Sequence, residues 1–353
     1  MDRQICFIGG GLKGGGQERS LTSLAEYFAG QGYKISIINL FRTEQFFEVS
    51  DSINIIWPEH DRNKHNRFIY ALLTIPYLRK HLKRIRPDVI LSYGEWFNPF
   101  VILATRFLHM PLYVLDRMGP QMPMGPLVSN ARKALYKLAD GIIVQTSIAA
   151  SIVKKNTKAK NIAVIPNPVN VINVRISNNR KRIVTLGRLS QEKGHKVLLQ
   201  AFAKLKSQNW TLHIIGDGPE RKQLEEESMF LGVAERVKFY GHVRDFASIL
   251  GESDIFVLPS YLEGYPNALL EAMSVPLPCI SSDCIAGPSD IIKNGKNGLL
   301  VKPGDNDDLA RALNLLINNE DLRSKLAAEA YHVRETHSFD RITKQYLQFI
   351  FPS

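Results

Sequence analysis

Short apolar runs of strand length, most of them separated by stretches of helical length, recur along the chain and stop once, near its middle. The first series falls at residues 4–9, 34–40, 53–57, 88–92, 112–115, 141–144 and 161–165. A polar segment rich in Asn and Arg, residues 167–182, interrupts it. A second series then runs through 182–186, 211–215, 237–240, 254–258, 278–282 and 298–301, and helical patterns at 305–318 and 341–349 close the chain. Strands that alternate with helices imply a parallel sheet, because a parallel partner is reached only through a crossover. At 353 residues the chain exceeds what one hydrophobic core organises. The expected fold is therefore α/β: two Rossmann-like domains whose parallel sheets face each other across a deep cleft. The first spans 1–168, with the C-terminal helix at about 340–353 able to pack back on it, and the second spans 169–339. A nucleotide suits such a cleft.

Composition narrows the class. A hydrophobic content of 44% is ordinary for a globular protein. No run approaches the roughly 18 apolar residues of a spanning helix, and the opening Met-Asp-Arg-Gln-Ile goes directly into a strand, so a soluble, cytoplasmic protein is expected. Cys6, Cys279 and Cys284 have neither an even count nor metal-ligand spacing, which disfavours disulfides and zinc. The net charge of +11 lies entirely in the first half: residues 1–175 hold 23 Lys and Arg against 12 Asp and Glu, and residues 176–353 hold 22 of each. Arg79, Lys80, Lys83, Arg84 and Arg86 cluster in one predicted helix, whose Leu78, Leu82 and Ile85 form an apolar stripe. Either an anionic partner surface or an ordinary solvated face accounts for this pattern.

Two segments concentrate chemistry in the second half. Glu263-Gly-Tyr-Pro-Asn-Ala-Leu-Leu-Glu271 crosses a predicted strand-to-helix junction, with Glu263 in the loop and Glu271 about one turn into the helix. Gly187-Arg188-Leu-Ser-Gln-Glu-Lys193-Gly194 brings two cations to another such junction, where a planar guanidinium, a compact ammonium and the amides of a helix start could clamp a diphosphate. In the first half, Gly9-Gly-Gly-Leu-Lys-Gly14-Gly-Gly16 contains a GxGxxG match. The second strand is followed by Phe41-Arg42 and not by an acidic residue for a ribose diol, which weakens a nicotinamide reading. The glycines serve equally well as a tight turn or as a close approach to a ligand.

These segments, together with Leu212-His-Ile-Ile-Gly-Asp-Gly-Pro-Glu220, Val237-Lys-Phe-Tyr-Gly-His242 and Gly295-Lys-Asn-Gly-Leu-Leu-Val-Lys-Pro-Gly304, resemble in order and spacing the donor half of the retaining glycosyltransferases of family 4. The resemblance covers about residues 164–318 strongly and the first half more weakly. It implies the GT-B fold, a sugar nucleotide on the second domain, an acceptor on the first, and neither cofactor nor metal. Carried over by motif position, it implies that Arg188 and Lys193 hold the donor diphosphate and stabilise the leaving charge, that Glu263 contacts the transferred sugar, and that Glu271 accepts hydrogen bonds from the ribose. Asn267 and Ala268 would offer backbone amides to the donor, Val243 would border the base, and Gly15 and Gly16 would approach the donor phosphate or the acceptor.

One departure stands after the fifth strand. Where many members of that family place a histidine near the acceptor, this chain reads Asp116-Arg117-Met-Gly-Pro120. Arg117 stays protonated and would bind an acceptor phosphate or a donor oxygen, with Asp116 orienting it, or the two form a structural ion pair. Asp305-Asn-Asp307 matches a metal-binding Asp-x-Asp but reads better as a helix N-cap. The expected activity is retaining transfer of a hexose or N-acetylhexosamine from a UDP-sugar to a lipid-diphosphate-linked or oligosaccharide acceptor in lipopolysaccharide or polysaccharide assembly. The basic first half would then hold the enzyme peripherally on the inner face of the cytoplasmic membrane. Sugar-nucleotide epimerisation and non-catalytic anion binding are the alternatives. Few aromatic residues interleave with the basic clusters, so nucleic acid is not expected.

Overall fold

The computed structural model describes residues 3–60, 64, 67–119, 124–175, 177, 180–243 and 245–352. Pro120, and Ile176, Asn178 and Asn179 of the polar segment, lie outside the described residues. The chain divides into two units, Met1–Asn167 together with Phe339–Ser353, and Pro168–Ser338.

The first unit runs β1 (Gln4–Gly9), α1 (Gly16–Gly30), β2 (Lys34–Asn39), β3 (Asn54–Ile56), α2 (Arg67–Ile85), β4 (Val89–Tyr93), α3 (Asn98–Thr105), β5 (Leu112–Asp116), α4 (Gly125–Leu135), β6 (Gly141–Val144), α5 (Ser147–Thr157) and β7 (Ile162–Val164). Its seven strands are all parallel, in the order β3-β2-β1-β4-β5-β6-β7. Side chains alternate across a strand, and here both faces are covered. Ile5 and Phe7 enter one buried cluster with Leu24 and Phe28 of α1, while Cys6 and Ile8 enter another with Leu78 and Leu82 of α2. Burial on both faces is why these strands read as continuous apolar runs. The apolar stripe of α2 is thus spent on the sheet. The terminal helix, Phe339–Ile350, adds Ile342, Tyr346 and Ile350 to the first of these clusters. Tyr346 is fully buried, and an apolar side chain of that size contributes roughly 2–3 kcal/mol.

The second unit runs β8 (Arg182–Leu186), α6 (His195–Ala203), β9 (Thr211–Ile215), α7 (Arg221–Phe230), β10 (Val237–Gly241), α8 (Ala247–Gly251), β11 (Ile255–Leu258), α9 (Asn267–Met273), β12 (Cys279–Ser282) and β13 (Leu299–Val301). Its sheet is parallel in the order β10-β9-β8-β11-β12-β13. The order reverses between β8 and β11, and in the first unit between β1 and β4. Loops leaving the carboxyl ends of strands at such a switch point diverge and leave a crevice, so four loops are singled out. These follow β1, β4, β8 and β11. Asp305 caps the next helix, its Oδ1 accepting from the amides of Asp307 and Asp308, as the N-cap reading expects.

Candidate active site

In the second unit the loops after β8 and β11 are laced together by backbone. The amides of Tyr261 and Leu262 donate to the Glu192 carbonyl at 2.8 and 3.3 Å. Gly194 closes the first loop with φ of +65°, and an added Cβ would run into the Pro259 carbonyl oxygen, so the approach demands glycine twice over. Gly216, after β9, has φ of +135° and leaves the same lack of room beneath the Gly187 carbonyl. Three strand ends are therefore packed backbone to backbone.

This packing brings Lys193 to Glu263. Lys193 Nζ donates to Glu263 Oε1 at 2.7 Å, and Ser260 Oγ donates to the same oxygen at 2.7 Å. The Glu263 side chain is only 8% exposed, whereas that of Lys193 is 26% exposed. Arg188 stands on the same loop as Lys193, exposed and in no ion pair among the described residues. Asn267 and Ala268 open α9 and are half-buried; Glu271, its fifth residue, is 2% exposed. Val243, half-buried just beyond β10, packs against the cluster that includes Leu258, Leu269 and Leu270. Seven of the ten candidate residues thus lie at one end of one sheet. Together they present a free guanidinium, an ammonium on a carboxylate, and a second, deeply set carboxylate.

His195, the first residue of α6, lies beneath the cationic loop and directly follows Gly194 at the end of its motif. It is 1% exposed, and its Nδ1 has no hydrogen-bond partner among the described residues. Burial, aided by the Lys193 charge, pushes it down to about 4, so it is neutral at pH 7.

The remaining candidates belong to the first unit. Gly15 is the N-cap of α1 in extended geometry, and the Glu18 carboxylate fills the space where a side chain at position 15 would stand. Gly16 begins the helix and is exposed. Arg117 is 7% exposed, and its guanidinium is consumed internally. It donates to Ser20 Oγ at 3.0 Å, to Asn167 Oδ1 and to Tyr346 Oη at 2.7 Å, and it stacks 4.9 Å above the Tyr93 ring. Asp116 does not orient it. That carboxylate instead pairs with Arg132 of α4, a residue that no sequence motif singles out.

Behind Asp116 stands Glu95, fully buried on the loop after β4. Its Oε1 accepts the amides of Arg117 and, at 2.6 Å, of Met118, while Gln17 Nε2 donates to its other oxygen at 3.2 Å. Burial, reinforced by the Glu95 carboxyl and opposed by Arg132, pushes Asp116 up to about 7. A carboxylate just past the switch-point strand was the available signal for Glu95; no motif accompanies it. Among the described residues no three His, Cys, Asp or Glu side chains converge as metal ligands.

Residues 14–172 match the family described as Glycosyltransferase Family 4, and residues 170–333 match Glycosyl transferases group 1. An uncharacterized glycosyltransferase of Methanocaldococcus jannaschii is 31% identical over 280 residues, covering 67% of this chain and 68% of that protein. A Campylobacter jejuni relative is 27% identical over 356 residues, covering 98% of each chain. It is named as an alpha-1,4-N-acetyl-D-galactosaminyltransferase acting on a glycan on PP-undecaprenol. Among solved structures, the Anabaena protein Alr3699/HepE in complex with UDP superposes with a TM-score of 0.79 at 18% identity, over 98% of both chains. Two parallel Rossmann-like sheets, the paired strand-end loops and these matches lead to one conclusion: the chain is a glycosyltransferase of family 4, with the GT-B fold.

Proposed function

We propose that this enzyme transfers a hexose or N-acetylhexosamine from a UDP-sugar to a hydroxyl of a lipid-diphosphate-linked or oligosaccharide acceptor, with retention at the anomeric carbon, in bacterial lipopolysaccharide or polysaccharide assembly. The observation that carries the reading is the approach of Lys193 to Glu263 at a switch point, with Arg188 free beside them and Glu271 buried in the next helix. Arg188 and Lys193, on one loop, would supply the two positive charges that a diphosphate calls for. As the nucleotide departs they stabilise its growing negative charge without protonating it, so no metal is needed in this scheme. Glu263, released by Lys193, would accept a hydroxyl of the sugar, and Glu271 the ribose diol. With both carboxylates engaged in binding, attack on the same face as departure, with the leaving phosphate taking the acceptor proton, is preferred to a glycosyl-Glu263 intermediate. The relative named for a PP-undecaprenol-linked glycan and the UDP complex of a structural neighbour are consistent with such partners.

The first unit offers a surface for an anionic bilayer. Lys80, Lys83, Arg84 and Arg86 are exposed at the end of α2, and Ile69, Leu72 and Leu73 are exposed near its start. Charge and apolar side chains on one helix suit the headgroup boundary, and the proposed location is peripheral, on the inner face of the cytoplasmic membrane. No described helix is long and apolar enough to cross a membrane. Incubation with UDP-sugars and a polyprenyl-diphosphate-linked glycan, followed by NMR of the product, tests the reaction. An α-linked product from an α-linked donor is expected; a β-linked product, or no transfer from any nucleotide sugar, overturns it.

A further inference from the structure

Ser260, on the loop after β11, is fully buried, and the backbone around it is held from three directions. Its carbonyl accepts the thiol of Cys284, on the loop after β12, at 3.0 Å. The amide of the next residue, Tyr261, donates to the Glu192 carbonyl at 2.8 Å. The carbonyl oxygen of the residue before, Pro259, stands where a Cβ on Gly194 would be. The β12 loop also closes on the other side of Glu263: Gly287, with φ of +97°, leaves no room for a Cβ against the Gly264 carbonyl. Burial, reinforced by the Glu263 charge, pushes the Cys284 thiol up to about 12, so at pH 7 it keeps its proton for the Ser260 carbonyl. Glu263 is thus carried on a segment clasped at both ends.

The two donors to Glu263 differ in what they can do. Lys193 Nζ and Ser260 Oγ each lie 2.7 Å from Oε1, and Oε2 has no hydrogen-bond partner among the described residues. The Lys193 ammonium is charged, partly exposed and carried on a flexible four-carbon stem, so a diphosphate can draw it away. The Ser260 hydroxyl is neutral, turns about a single bond and has no exposure, so it cannot follow. Without it, the departure of Lys193 would leave a largely buried carboxylate with neither a partner nor a fixed rotamer, and ordering it again would weaken the hold on the sugar.

We infer that Ser260 is a positioning residue for the donor sugar: as Lys193 passes to the diphosphate, the Ser260 hydroxyl keeps Glu263 Oε1 in place and leaves Oε2 to a hydroxyl of the sugar. The inference rests on the proposed reading of Lys193 and Glu263 as donor-binding residues. Ser260 itself touches neither diphosphate nor sugar in this scheme and acts through Glu263 alone. Its removal therefore affects the sugar part of the donor and spares the nucleotide part.

The test uses the full chain and calorimetric titration with UDP and with the UDP-sugars of glucose, galactose and their N-acetylamino forms. Wild type, Ser260→Ala, Glu263→Ala and the double variant are compared, and heat unfolding confirms that each folds. The quantity read is the affinity for the best UDP-sugar relative to that for UDP. Ser260→Ala is expected to keep UDP affinity within threefold of wild type and to lower the ratio about tenfold, as for one hydrogen bond to a charged group. With Glu263 already replaced by Ala, the same substitution should change the ratio less than twofold, because the hydroxyl then has nothing to position. A loosened loop would instead weaken UDP as well and act equally in both backgrounds. An unchanged ratio, a parallel loss of UDP affinity, or an equal fall with and without Glu263 would overturn the inference. A wild type that binds no UDP-sugar overturns the donor reading and this inference with it, whereas normal binding by the wild type with no effect of Ser260→Ala overturns this inference alone.

Discussion

Lys193 and Glu263 lie 70 positions apart in the chain, yet their charged atoms meet at 2.7 Å. The pair places a carboxylate on a cation that a diphosphate would need. In the proposed scheme donor binding would exchange one partner of Lys193 for another and release Glu263 toward the sugar. Lys193→Met is expected to weaken UDP binding about tenfold to a hundredfold, the worth of roughly 1.5–3 kcal/mol for a hydrogen bond between charged groups. Glu263→Gln removes the competitor, so UDP should bind as well as before or better while sugar transfer falls. Calorimetric titration of both variants checks this; weaker UDP binding in Glu263→Gln would show that the carboxylate does not compete.

Glu271 is buried, so its removal could act through packing alone. A nucleotide lacking one hydroxyl separates the two effects. UDP is expected to bind about tenfold more tightly than its 2′-deoxy or 3′-deoxy form, and Glu271→Gln should lose most of that discrimination. Equal discrimination in wild type and variant would remove the ribose from its role.

Gly194 and Gly216 hold the strand-end loops together at positive φ with carbonyl oxygens where a Cβ would stand. Gly194→Ala and Gly216→Ala are each expected to lower stability by about 1–3 kcal/mol and to cost donor affinity. Urea unfolding curves provide the check, with Gly232→Ala as a comparison, since Gly232 also has positive φ but open space around it. Equal losses at all three positions would mean that the loops are not tightly packed.

His195 supplies a pH signature. Its pKa falls from the usual 6.5 to about 4 on folding, so the unfolded chain binds the extra proton. Stability from this group is therefore complete above pH 6.5 and is lost as the pH drops through 4. The loss is on the order of 3 kcal/mol, since each tenfold change in proton affinity corresponds to about 1.4 kcal/mol. His195→Gln should flatten the fall in unfolding free energy between pH 7 and pH 4.5. An unchanged slope would assign the acid sensitivity to other groups. Asp116, with its pKa raised, works in the opposite direction: its contribution is present at low pH and fades as the pH rises through about 7.

The thirteen strands among the described residues were legible in the sequence, the central ones because parallel strands covered on both faces leave unbroken apolar runs. Phe7 and Ile8, for example, enter opposite cores from adjacent positions. The strand-end loops that carry Arg188, Lys193 and Glu263 were legible too, since each is a contiguous run of residues. Arg117 was less so. Its burial depends on Tyr346, 229 residues away, and on Asn167, and no local pattern encodes a guanidinium enclosed by distant hydroxyls and an amide. The turn of Asp116 toward Arg132 likewise depends on how α4 folds over the end of β5, and Glu95 is a lone carboxylate whose importance comes from the two amides that reach it.

On the proposed reading, the β8 and β11 loops bind a sugar nucleotide through Arg188, Lys193, Glu263 and Glu271. Its most direct test is protection against heat unfolding by a panel of UDP- and GDP-sugars, compared between the wild type and the double variant Arg188→Ala, Lys193→Met. At a hundred times its dissociation constant a bound donor stabilises by about 2.7 kcal/mol, which raises the midpoint by several degrees. A UDP-sugar should produce that shift in the wild type and almost none in the double variant. Equal shifts in both proteins, or no shift with any sugar nucleotide, would mean that these loops do not hold the donor.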